Sequence, residues 1–211
     1  MNPAVAPKAA GKIIRSHPIT KSLEKGFVSM GWSDRLPGVC ARSAALLTEN
    51  AHLSKPQRMH MEQLLPMIAF YEAAQELAGS REAALAFFEK WAFAEAEKLM
   101  KPVRGLMKLG LYRLMPALCG LMLDRMFGHK AGFDYRPVPD APKFAVDMTR
   151  CPYVEACAKY GCPELCQFAC RADDITYGNL HPNLVWARTR TLGMGGECCD
   201  FRLYVKEKSK K

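Results

Sequence analysis

The sequence predicts an α+β protein: a helical N-terminal half packed on a small antiparallel sheet that carries two short cysteine-bearing helices. Three observations predict it. Arg42 to Met100 is dominated by Ala, Leu, Glu, Met and Lys, all strong helix formers. Phe144, Val146 and Met148 alternate with Ala145, Asp147 and Thr149, the period-two pattern of a half-buried strand. The dipeptide Cys-Pro then occurs twice, at Cys151-Pro152 and Cys162-Pro163, with Gly161 between. Proline suits the first helical position and glycine the stop.

The elements follow in chain order. Residues 1–16, rich in Ala, Lys and Gly, read as a flexible lead, and Ile19 to Met30 as the first helix of a helical region spanning 17–131. Breaks fall at Ser54-Lys55-Pro56 and Gly79-Ser80, where Ser80 caps a helix with Glu82 in its first turn. Leu85, Phe88, Trp91 and Ala92 recur at helical spacing and mark a core stripe. Val103 to Phe127 is rich in Leu and Met. Arg104, Lys108 and Arg113 interrupt it, and Gly110, Pro116 and Gly120 weaken any continuous span, so a transmembrane helix is excluded. Two short core helices bent near Pro116 are expected here. A membrane-surface helix and the apolar wall of a ligand pocket stand as alternatives.

Gly132 to Pro142, with three prolines, reads as a linker to a cysteine-rich α+β region at 143–205, which forms one domain with the helices. Leu184 to Thr191 and Glu197 to Val205 read as an antiparallel hairpin joined by Leu192-Gly193-Met194-Gly195-Gly196, before a basic tail at 206–211.

The 211 residues suffice for one domain with a real core, and 49% hydrophobic with 24% charged residues argues against wholesale disorder. Part of the net charge of +9 lies at the two ends. With no basic residues interleaved with aromatics and no zinc-finger spacing, nucleic acid is not an expected partner. Met1 to Lys12 lacks the apolar run of a secretory signal, which predicts a reducing, cytoplasmic compartment. There nine cysteines are expected as free thiols, metal ligands or catalytic groups.

Seven of the nine cysteines fall between Cys151 and Cys199. Cys162, Cys166 and Cys170, spaced by four, line one helix face. A packed thiol face accounts for them as small buried hydrophobes. Metal ligation is the first functional alternative. Without a C-x-x-C pair, a zinc or iron–sulfur site has to be assembled across elements, for instance from Cys151, Cys170 and Cys199. Nucleophilic chemistry is the second: Cys151 and Cys162 start helices, where the dipole stabilises a thiolate. Cys199 shares a parity with Phe201, Leu203 and Val205 and points inward, which turns Cys198 outward. Asp173 and Asp174 close the second helix, Asp200 follows Cys199, and His181 precedes the hairpin. Turn formation and plain exposure are their ordinary roles.

Cys151-Pro152-Tyr153, Lys159-Tyr160-Gly161-Cys162-Pro163-Glu164-Leu165, Cys170-Arg171-Ala172-Asp173, Pro182-Asn183-Leu184, Arg188-Thr189-Arg190-Thr191-Leu192, Gly195 and Cys199-Asp200-Phe201-Arg202 follow one another in a fixed order. This set, over about residues 145–205, resembles the L-2-amino-thiazoline-4-carboxylic acid hydrolase family; the helical half is similar in character only. The resemblance implies a bacterial cytoplasmic protein that opens a cyclic, amidine-like thiazoline ring to a carbamoyl-cysteine product, acting on a non-peptide C–N bond of a small-molecule substrate. It carries over Cys151, Cys170, Asp173, Cys199 and Asp200 as site positions. Cys157, Cys162, Cys166 and Cys198 lie outside the family pattern. The closing glycine, cysteine and phenylalanine on the last strand also resemble the 4-vinyl reductase type ligand-binding domain.

The expected chemistry is attack by water or by a thiolate of Cys170 or Cys199 on the ring C2 carbon. Asp173 or His181 would handle the proton and Arg188 or Arg190 would hold the substrate carboxylate. The rival expectation is a non-catalytic binding or sensor module whose thiols hold a metal, an iron–sulfur cluster or a soft ligand. Membrane-surface contact through 103–127 and homo-oligomer formation are further expectations for its partners.

Overall fold

The computed structural model describes residues 4–139 and 144–206. Helices α1 (Pro7–Ser16), α2 (Pro18–Ser29), α3 (Leu36–Glu49), α4 (Lys55–Ala78) and α5 (Arg81–Phe88) lead through one π-helical turn, Glu89–Phe93, into α6 (Ala94–Met107) and α7 (Met115–Phe127). Strands β1 (Asp134–Pro137) and β2 (Phe144–Arg150), helices α8 (Pro152–Lys159) and α9 (Pro163–Gly178), and strands β3 (Leu184–Ala187) and β4 (Cys199–Val205) complete the α+β fold. The sheet is antiparallel, in the order β1-β2-β4-β3.

Helix α4 is the central post. Ser54 caps it in a reciprocal box with Gln57, and Gly79, at φ +78°, ends it in the left-handed conformation a side chain would strain. Leu64, Leu65, Ile68, Phe70, Tyr71 and Ala74 are almost fully buried. They cover more than one stripe, so neighbours surround the helix. Burying one such large side chain contributes about 2 kcal/mol. The same apolar cluster takes in Phe27 from α2, Phe88 from α5, and Cys157, Leu165, Cys166 and Phe168 from α8 and α9. The cysteine helices therefore dock on the bundle core.

Several expectations are corrected. Residues 7–16 are not a flexible lead: Pro7 starts a helix that buries Ala10 and Ile14, with residues 1–3 outside the described part. β1 lies inside the expected linker and pairs with β2, although its last residue is a proline that an edge strand tolerates. Residues 140–142 of that linker, like 207–211 of the basic tail, lie outside the described residues. The break in 103–127 comes at Gly110 (φ +91°), and Pro116 sits in the first turn of α7. Nor is α7 a core helix, because only Pro116 of it is buried. The hairpin strands are shorter than expected, since residues 188–198 form a connection over α9. Helix α9 runs to Gly178, a turn beyond Asp174.

Candidate active site

Gly161, at φ +71°, reverses the chain between α8 and α9, and the Cys162 N–H donates to the Cys157 carbonyl at 2.8 Å. This turn sets two thiol-bearing helices side by side. The thiols of Cys157 and Cys162, of Cys157 and Cys166, and of Cys166 and Cys170 are hydrogen-bonded in sequence. Cys157, Cys162 and Cys166 are buried, whereas Cys170 keeps part of its surface. The four-residue spacing thus forms the expected face and leads outward along it.

At its outer end lies a mixed cluster. Cys151 and Cys199 belong to one small core with Tyr153, Leu192 and Phe201, and β2 pairs Met148 with Cys199. Cys199 Sγ accepts a hydrogen bond from the Leu192 N–H at 3.2 Å. The thiols of Cys151, Cys170 and Cys199 lie within electrostatic reach of one another, and those of Cys170 and Cys199 also reach Asp173 and Arg188. The loop that covers them is built for contact: a Cβ on Gly193 would stand 3.1 Å from Cys166 Sγ and 3.3 Å from Cys170 Sγ. Glycine at 193 lets the backbone lie against the sulfurs.

Electrostatics reverse one expectation. Cys151 does cap α8, but burial pushes its thiol up to about 12, outweighing the backbone N–H groups of Val154 and Tyr153 that favour the thiolate. Burial raises Cys199 to about 11 against the pull of the Leu192 N–H, and hydrogen bonding to Cys166 with burial raises Cys170 further. Desolvation wins over the helix dipole because a charge worth at most about 2 kcal/mol at a helix end cannot offset several kcal/mol of lost hydration. The resting thiols are protonated.

Asp173 is the carboxyl beside these thiols. The protein packed around it raises its carboxyl to about 7, against the opposing pull of Arg188, whose Nη1 lies 3.5 Å from Oδ2. Its side chain nevertheless keeps 44% of its exposure, so its proton exchanges with solvent. Arg188, only 5% exposed, is fixed from several sides. It donates to the Cys170 carbonyl at 2.9 Å and to Asp174 Oδ2 at 2.8 Å, and its guanidinium lies over the Phe201 ring. Trp186 Nε1 donates to the other Asp174 oxygen at 3.0 Å.

The remaining sequence candidates are placed differently. Asp200 accepts from the Thr189 N–H and the Arg190 N–H, each at 2.9 Å, and from the Thr189 hydroxyl at 2.6 Å. These bonds outweigh its burial and hold its carboxyl below the usual range, so it anchors the turn. Arg190 is 51% exposed and loosely paired with Asp200 at 4.0 Å. His181 stacks on Tyr112, with ring centroids 3.8 Å apart, and its Nδ1 accepts from the Asn183 N–H. Those partners belong to the cluster of Leu180 and Leu184, not to the thiols. Cys198 is buried along with Cys199, because it precedes β4 and escapes the strand's alternation. Among the described residues no three His, Cys, Asp or Glu side chains are disposed to grip a metal ion.

Two further residues at the cluster are not among the site candidates read from the sequence, although Tyr153 stands in the Cys151-Pro152-Tyr153 motif. The Tyr153 hydroxyl lies 3.1 Å from His60 Nδ1, and His60 Nε2 lies 2.7 Å from the Met126 carbonyl. Burial lowers the imidazole's pKa. A neutral ring donates through Nε2 and accepts from Tyr153 through Nδ1. Tyr153 in turn is electrostatically coupled to Cys151, Asp173 and Cys166. The tyrosine and histidine are 93 residues apart, a pairing that only the fold creates.

A model of the L-2-amino-thiazoline-4-carboxylic acid hydrolase family matches residues 57–203. That span runs from α4 into β4, so the likeness extends well into the helical half, beyond the 145–205 segment whose motifs suggested it. No curated protein and no solved structure gives a significant match. With more than half of its length matched, and the motif cysteines gathered with Asp173 at one place, the chain belongs to the L-2-amino-thiazoline-4-carboxylic acid hydrolase family.

Proposed function

We propose that this protein hydrolyses a small cyclic C=N compound of the 2-amino-thiazoline-4-carboxylate class, with Asp173 as general base and Cys170 as nucleophile. The observation that carries this reading is a carboxyl raised to about 7 beside thiols that the Cys166 contact and burial keep protonated. A base with a pKa near the working pH combines a large ionised fraction with useful proton affinity. Asp173 follows Cys170 by three residues on α9, a spacing that sets two side chains on one helix face. Cys170 also keeps some exposure, whereas Cys199 is buried.

In this reading the Cys170 proton passes to Asp173 as sulfur bonds to C2, and the C2=N electron pair moves to the ring nitrogen, which takes that proton. A ring bond at C2 then breaks. Water adds at the same carbon and expels the Cys170 thiolate, leaving carbamoyl-cysteine. Rupture of the C–N bond releases a free amine, and rupture of the C–S bond a free thiol. Arg190, exposed and weakly held, is the better cation for the substrate carboxylate, because Arg188 is already committed to α9. Tyr153 and His60 are positioning residues beneath Cys151. Nine free thiols and the family resemblance support a reducing bacterial cytoplasm as the setting.

Purified protein incubated with L-2-amino-thiazoline-4-carboxylate should yield carbamoyl-cysteine, detected by mass, with amine- and thiol-specific reagents reporting which ring bond opens. Absence of turnover across pH 5 to 9 would overturn the substrate assignment.

A further inference from the structure

The helical hairpin of α6 and α7 has a composition and shape that the hydrolase reading leaves unused. The stretch Arg81–Met107 meets Leu111–Phe127 at an angle of 100°, with Gly110 at the apex. Around that apex Leu106, Leu109, Leu111, Leu114, Leu118 and Leu121 are exposed, Leu109 at 78% and Leu121 at 81%. Leu111, Leu114, Leu118 and Leu121 follow one another at steps of three, four and three, which lines them along one helical face. Isolated exposed leucines are ordinary, but a contiguous row of them is uncommon on a protein that meets only water.

The charges beside that row are mostly of one sign, the exposed Asp124 one turn beyond Leu121 being the exception. Lys98, Lys101, Arg104, Lys108 and Arg113 occur between residues 98 and 123 without one Asp or Glu. Arg104 is paired with Glu97 and Lys98 loosely with Glu95 at 3.9 Å, both acids lying just outside that stretch, while Lys101, Lys108 and Arg113 are exposed. Among the described residues no single helix is long and apolar enough to cross a membrane. A convex apolar ridge flanked by cations fits the headgroup layer of a bilayer, where leucines enter the acyl boundary and lysines meet lipid phosphates. A second copy fits worse. A two-fold contact through this ridge would bring its lysines against their own images, with Asp124 at the far end of the row as the acid to offset them.

We propose that the α6–α7 ridge docks the protein on an anionic membrane surface, with Leu109, Leu114 and Leu121 entering the interface and Lys101, Lys108 and Arg113 holding phosphates. The test is co-sedimentation with phosphatidylcholine vesicles, plain or containing about one-third phosphatidylglycerol. Binding is expected to the anionic vesicles and to fall in high salt. The double substitution Leu109→Glu with Leu121→Glu should abolish it at unchanged circular dichroism, since both side chains are exposed. Reversing Lys101 and Lys108 to Glu should weaken partitioning several-fold per residue. Equal behaviour toward plain and anionic vesicles would overturn the proposal. So would a dimer in sedimentation equilibrium that Leu109→Glu dissociates, because a second copy would then cover the ridge.

Discussion

Asp173 on α9 and Asp200 on β4 look alike in sequence, each within three residues of a motif cysteine and of an arginine, yet the fold gives them opposite properties. Asp200 is encircled by two backbone N–H groups and a hydroxyl, so its charge is stabilised and its role is to hold the 189–190 turn. Asp173 has crowding and one long contact to Arg188, whose guanidinium is shared with Asp174 and a backbone carbonyl. The difference teaches where proton chemistry can reside. A carboxylate saturated with donors is inert near neutral pH, and one starved of donors is a base.

Substitution sharpens the contrast. Asp173→Asn should lower kcat/KM by about 100- to 10,000-fold, the usual contribution of a general base, at unchanged secondary structure. The thermal melt should move the other way. A carboxyl raised on folding binds a proton in the folded chain that the unfolded chain has released, so stability falls as pH rises from about 4 toward 7. Asp173→Asn is therefore expected to gain on wild type in melting temperature at pH 8 and to lose that gain at pH 4. Equal melting curves at both values would mean that the crowding has no energetic consequence.

Asp200→Ala should do the reverse, costing about 2 kcal/mol by removing three hydrogen bonds to an ionised acceptor. Its carboxyl is depressed, so this stabilisation is present above the ordinary carboxylate pKa and disappears as pH falls through the lower folded value. Chemical denaturation at pH 7 and pH 3 should show a gap between variant and wild type that closes at acid pH. A gap that persists at pH 3 would assign the loss to packing instead.

Smaller effects are expected around the sulfurs. Gly193→Ala forces a Cβ against Cys166 and Cys170 and should destabilise by about 1 kcal/mol in urea. Tyr153→Phe removes one hydrogen bond to His60 and should cost about as much, with activity reduced less than tenfold. A hundredfold loss would place the tyrosine in direct contact with substrate.

Much of this was legible beforehand, for local reasons. Cys-Pro and Gly161 announce α8 and α9 because proline and glycine act on the backbone where they stand. Period-two alternation marks β2, and Ser80 marks α5, by the same locality. The gathering of Cys151, Cys170 and Cys199 near Asp173 is marked by an ordered motif and by no spacing. What stayed hidden depends on distant partners. Edge strand β1 lies among prolines, α1 is helical through burial of Ala10 and Ile14, and His60 meets Tyr153 only after α4 and α8 have packed. The state of the thiols is hidden for a related reason: position at a helix start is visible in sequence, but the burial that outweighs it is not.

The central claim is that a carboxyl, not a free thiolate, sets the pH dependence. The most direct measurement is the pH profile of kcat/KM for wild type and Asp173→Asn on L-2-amino-thiazoline-4-carboxylate. Wild type should rise to a plateau with a midpoint near 7, and the variant should lose that step along with most of its rate. A midpoint near the ordinary thiol value of about 8.5, retained in the variant, would contradict it.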